Sequence, residues 1–154
     1  MTAAAVVVFV VRLMLVALFM PCSVIDKTFG FQHAVRQAQE VFKPRLLGVG
    51  AILVGLIVEL GCSLGVLTGV ADRACAFVIA AFCMFTAILY KRFWAQGDFW
   101  ANPDGHGRTL FWDFMKNLSL AGAFLLIVVG TDGSGLAPFL HSPLDSSQPY
   151  RSHS

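Results

Sequence analysis

Residues 46–70 read LLGVGAILVGLIVELGCSLGVLTGV, a run that is apolar throughout except for one carboxylate, Glu59, near its middle. A bilayer core needs about 20 apolar residues in a helix, and this run meets that length without strain. An ionised group at mid-membrane costs at least ~2.5–3.5 kcal/mol on insertion scales. Glu59 must therefore face a partner or a polar cavity, or be protonated. Gly61, Gly65 and Gly69 follow at four-residue spacing, which lays a smooth strip along one face where another helix can approach closely. An inward charge and a glycine seam describe the central helix of a bundle.

The composition agrees. The 154 residues are 57% hydrophobic and 13% charged, with a mean hydropathy of +0.74, whereas soluble domains sit near 45–50% apolar and about 25% charged. The chain reads as an integral membrane protein whose lipid-embedded domain spans residues 1–130, followed by a polar tail over 131–154. A net charge of +2, scattered along the chain, gives no footprint for nucleic acid. Cys22, Cys62, Cys75 and Cys83 show neither C-x-x-C nor metal-ligand spacing, and three of them lie in or beside apolar stretches as small hydrophobes.

Three further spans flank the central one, at about 3–25, 74–90 and 110–130. The first, AAAVVVFVVRLMLVALFMPCSVI, is longer than a signal-peptide core and has no Lys or Arg before it, so it reads as a retained helix with Arg12 inside. Pro21 falls near its end, where a kink or a stop is tolerated. Arg12 and Glu59 each lie about midway along their helices. Antiparallel helices joined by one loop would bring them to one depth as a buried ion pair, serving either a reaction or only helix register.

Residues 26–45, DKTFGFQHAVRQAQEVFKPR, are polar, but Phe31, Val35, Ala38 and Phe42 recur at near-helical spacing. That pattern predicts a short interfacial helix between spans one and two. Asp26 and Lys27 stand where the first helix leaves the membrane, either at the mouth of a site or as an ordinary interfacial pair. The third span carries no charge. Beyond it, KRFWAQGDFWANPDGHGRT (91–109) holds a strong turn signal and the aromatics Phe93, Trp94, Phe99 and Trp100, which form either an interfacial belt or a lid on a hydrophobic cavity. In the fourth span Asp113, Lys116 and Asn117 share one face, placed to pair together or to converge with Asp26 and Lys27. The tail, rich in Ser, Pro and Gly, is expected to have little fixed structure on its own.

Eight basic residues lie in the loops joining spans one to two and three to four, counting the start of span four, against Arg73 and Arg151 on the other side. The positive-inside rule then puts both long loops in the cytoplasm and both termini outside. All four histidines (His33, His106, His141, His153) fall outside the spans, and there is no metal, haem or nucleotide signature. The remaining chemistry is the embedded charge set: Arg12 and Glu59, with Asp26, Lys27 and Lys116 at one end. It suits a small apolar molecule with polar oxygens whose reduction requires protons, as a quinone head group does.

The order of RLMLVALFMPCSVIDKTFGF, VELGCSLGVLTG, KRFW and KNLSLAGAFLLIV resembles the DoxX family of four-helix bacterial membrane proteins, over roughly Val11 to Val129. The resemblance implies an all-α four-helix membrane bundle in the bacterial cytoplasmic membrane. It also implies a link to quinone-dependent redox systems, with partner membrane or peripheral subunits supplying any sulfur chemistry. The matching positions are Arg12, the Asp26-Lys27 step, Glu59 with Gly61, and Lys116-Asn117. On this reading Arg12 and Glu59 hold and protonate a bound quinone, while Asp26, Lys27, Trp94, Trp100, Lys116 and Asn117 line its site. Two other readings stay open: a non-catalytic accessory subunit packed against a larger membrane complex, with Gly61, Gly65, Gly69 and the third helix as docking surfaces, and a small transporter.

Overall fold

Apolar runs become helices here, and glycine, proline and one aspartate divide them. The computed structural model describes residues 2–130 and 135–151. Four of its helical segments are long and apolar enough to cross a membrane: Ala3–Phe29, Arg45–Thr68, Asp72–Ala95 and His106–Val129. The first consists of α1 (Ala3–Val16), a wide π-type turn (Leu18–Ser23) and α2 (Val24–Phe29). The break falls at Met20, whose backbone is extended (φ −125°, ψ 115°), just before Pro21, which has no N–H to continue the ladder. α3 (Phe31–Gln39) is the short amphipathic helix expected between spans one and two, and it buries Ala34, Val35 and Ala38. α4 is Arg45–Thr68, α5 is Asp72–Tyr90, α6 is His106–Val129, and α7 (Ala137–His141) lies in the tail.

The core sits between α1, α4, α5 and α6. Val16, Phe19, Val66, Ile79, Phe124 and Val128 fill it, with the Phe19 and Phe124 rings 5.8 Å apart. α5 presents Ala76, Ile79, Ala80, Cys83 and Ala87, one helical stripe of mostly small residues, so the third span is a packing helix, though it begins two residues earlier than expected and carries Asp72 and Arg73 in its first turn. The opposite surfaces carry exposed Val, Leu, Ile and Phe, as lipid contact requires.

α4 buries Gly48, Gly55, Glu59, Ser63 and Val66. At about 100° per residue, Gly61 lies about 200° round the helix from Glu59. It is on the outer side, and a Cβ there would meet nothing within 4 Å. The expected seam through Gly61, Gly65 and Gly69 is therefore not a single helix contact within the chain. Gly65 packs on Cys75 at the start of α5, and Gly69 ends α4 in the left-handed region (φ 80°). The tightest approach on α4 is at Gly65, followed by Gly48, where a Cβ would sit 3.0 Å from Gln39 Cγ, while Gly55 lies beneath the Phe82 ring.

The NPDGHG turn is organised by Asp98. Its Oδ1 accepts the Gly107 N–H (3.2 Å), and its main-chain carbonyl accepts the Asn102 N–H (2.9 Å). Gly105 and Gly107 leave no room for a side chain against this carboxylate, which caps the first turn of α6.

Candidate functional site

Two buried ion pairs hold the bundle, and neither is the Arg12–Glu59 pair expected from the sequence. Arg12, 8% exposed, lies 2.7 Å from Asp72 Oδ2, and Asp72 is fully buried. The same guanidinium donates to the Val66 carbonyl (2.6 Å) and to Ser147 Oγ (2.9 Å). Glu59, 2% exposed, instead takes Lys27 Nζ on one oxygen and the Ser23 hydroxyl (3.0 Å) on the other. The Lys27 ammonium also stands 5.8 Å from the centre of the Phe82 ring.

Helix offset explains the exchange. Arg12 meets α4 at Val66, seven residues beyond Glu59, or ~10 Å along the axis at 1.5 Å per residue. The two mid-helix charges are thus about two turns apart. The break at Met20-Pro21 then brings Ser23 and Lys27, on the far side of the kink, opposite Glu59.

Asp72 is the first residue of α5, two residues before the expected start of the third span. Its other contacts come from the tail: Ser147 donates its N–H to Oδ1 (2.8 Å) and its hydroxyl to Oδ2 (2.5 Å). The Tyr150 hydroxyl donates to the Leu67 carbonyl. The described part of the tail is therefore docked, whereas the sequence reading expected little order there. Residues 131–134 and 152–154, His153 among them, lie outside the described residues.

A third polar group lines an open groove of about 770 Å³ between the π turn of the first span, the end of α5 and one face of α6. Asp113 there is 3.1 Å from Lys91 Nζ and 3.5 Å from Lys116 Nζ, and its carbonyl accepts from Asn117 Nδ2 (3.1 Å). Leu18, Trp112 and Leu120 supply apolar wall. Lys116 and Asn117 thus sit together as their spacing indicated, but Asp26 and Lys27 do not join them. Asp26 is exposed, and Lys27 is committed to Glu59.

Trp94 and Trp100 lie outside this wall. Trp94 packs edge-on to Phe93 and Phe114, and Trp100, 89% exposed, touches Phe99. The aromatic that reaches the groove is Trp112, which the sequence reading passed over, as it did the pairing role of Lys91. Its signal was available: Trp112 immediately precedes Asp113, and Leu120 follows Lys116 by one turn. Ser147 carried no such signal, since a serine in a Ser/Pro-rich tail looks like any other. Cys62 and Cys75 stand side by side across the α4–α5 contact, a proximity that their spacing in the chain conceals.

The family model that matches this sequence is described as DoxX and covers residues 7–92, which takes in both buried ion pairs but neither α6 nor the tail. No curated protein and no solved structure matches the chain.

Proposed function

The chain belongs to the DoxX family of membrane proteins, and from that premise we propose that it is the quinone-interacting membrane subunit of an oxidoreductase system. The observation that carries this is the groove on α6, apolar along its length and polar at one end. A quinone has that division: a flat ring with two carbonyl acceptors and a long apolar tail. Lys116 Nζ and Asn117 Nδ2 are donors for the carbonyls, and Trp112 offers a ring face. Leu18, Leu120 and Ala123 continue the apolar wall on which the tail would lie. A bound quinone supplies a two-electron, two-proton acceptor. Asp113, held between the Lys91 and Lys116 ammonium groups, fixes these two proton-bearing side chains at the polar end. The electrons come from a partner subunit.

Arg12 and Glu59 have a different part in this proposal from the one read in the sequence. Both are engaged by partners within the chain and buried, so in this reading they position helices and stand apart from the quinone. The distribution of basic residues supports a bacterial cytoplasmic membrane with both termini on the outer side. The polar end of the groove, near Lys91, then faces the cytoplasm.

The test is mass spectrometry of lipophiles extracted from protein purified in mild detergent at native expression. A stoichiometric quinone is expected, depleted at least tenfold in a Lys116→Ala/Asn117→Ala variant of unchanged thermal stability. A fixed set of co-purifying subunits with no quinone would establish the accessory-subunit reading instead.

A further inference from the structure

The α4–α5 contact holds two thiols that neither the groove nor the ion pairs use. Cys62 on α4 and Cys75 on α5 stand side by side. Gly65, one turn on from Cys62 and on the same side of α4, makes the approach possible. A Cβ at Gly65 would overlap Cys75 Sγ and come 3.2 Å from Cys75 Cβ. The sulfur thus occupies the space that a side chain at position 65 would take. Cys62 and Cys75 both pack on the edge of the core and both are only partly buried, so each is open to attack. The other two cysteines differ: Cys83 is buried, and Cys22 is exposed on the first span.

The surroundings select the oxidant. Cys75 lies one turn inside the start of α5, and Val78, one turn further on, is exposed where the spans meet lipid. A neutral molecule dissolved in the bilayer reaches such a place, whereas a charged one would have to shed its water. We propose that Cys62 and Cys75 form a redox-active dithiol that reduces hydroperoxides arriving from the lipid and closes into a disulfide joining α4 to α5. One thiol gives its proton to water, and its sulfur attacks the peroxide: an S–O bond forms, the O–O bond breaks, and the alkoxide takes a proton to leave as the alcohol. The second sulfur then attacks the sulfenic acid, so that the S–S bond forms, the S–O bond breaks, and water leaves. The two sulfurs together give up two electrons, and the peroxide oxygens accept them. This site lies apart from the α6 groove and does not depend on a bound quinone.

The test treats the intact wild-type protein, reduced and in micelles, with cumene hydroperoxide. Remaining thiols are alkylated, and the peptides are mapped by mass spectrometry without reduction. A Cys62–Cys75 linked peptide is expected, formed with one cumyl alcohol per disulfide and lost on adding dithiothreitol, while Cys83 stays a thiol. Cumene hydroperoxide, which partitions into the micelle, should close the pair at least tenfold faster than hydrogen peroxide at equal concentration. Amide exchange across residues 66–74, the turn between the two helices, should slow at least tenfold once the disulfide forms. A Cys75→Ser chain of unchanged thermal stability should release at least tenfold less cumyl alcohol in the same time. Thiols that stay free, or that oxidise separately without linking, would overturn the proposal. Closure by hydrogen peroxide as fast as by cumene hydroperoxide would overturn the lipid as the source of the substrate.

Discussion

Replacing Asp72 by asparagine should be the most damaging isosteric change in the bundle, and clearly worse than Glu59→Gln. Asp72 is fully buried and holds Arg12, itself 8% exposed, along with two groups of Ser147. With asparagine there the guanidinium loses its anionic partner and keeps only neutral acceptors, the Val66 carbonyl, the Ser147 hydroxyl and the new amide oxygen, while almost wholly shielded from solvent. Removing one partner of such a pair costs ~3–5 kcal/mol. Glu59→Gln also strands a cation, but the Lys27 side chain is 22% exposed, and its flexible stem can carry the ammonium outward. The loss there is closer to that of one or two hydrogen bonds to a charged group, ~1.5–3 kcal/mol. The gap of ~2 kcal/mol corresponds to about 4–8 °C in Tm for a chain of this size. Thermal unfolding of both variants in one detergent measures it. A Glu59→Gln variant that melts at or below the Asp72→Asn variant would refute the reasoning, since burial of the stranded cation would then not set the cost.

The Lys27→Leu/Glu59→Leu double variant should melt above Glu59→Gln, because it strands no charge; thermal unfolding in the same detergent checks this. The glycines of α4 should separate: Gly65→Ala forces a Cβ into Cys75 and within 3.0 Å of the Val70 carbonyl, and should cost ~1–3 kcal/mol as overpacking. Gly61→Ala meets nothing within 4 Å and should be neutral or stabilising by up to ~1 kcal/mol through helix propensity, both read as Tm shifts.

The spans were legible because length and hydropathy fix them without tertiary information. A run such as Leu46–Val70 has few alternatives to a membrane helix. That Glu59 faces inward was legible for the same reason, since the cost of exposing it to lipid leaves no choice. Its partner was not. Pairing depends on the relative height of two helices, and the kink at Met20-Pro21 shifts that height by an amount no local pattern encodes. The glycine strip divides by angle and height: Gly65 meets Cys75 of α5 closely and Gly69 ends the helix, whereas Gly61 faces outward, away from the buried strip through Glu59. That Lys116 and Asn117 share a face with Asp113 was legible because their spacing lies within one helix, whereas Ser147 reaches Asp72 from 75 residues away.

The two ion pairs act on α4 as two rivets at different heights. Arg12 fixes it near its end through the Val66 carbonyl, and Lys27 with Ser23 fixes it near its middle. A helix pinned at two levels can neither slide nor rotate without breaking a buried charge contact. α6 is fastened differently: Asp98 at its start and the half-exposed Lys91–Asp113 pair hold one end, and beyond them its described contacts with the core are apolar, centred on Phe124. Apolar surfaces slide over one another at small cost, as in shear motions between packed helices. The bundle is thus pinned by buried charge along α4 and held by apolar packing along α6.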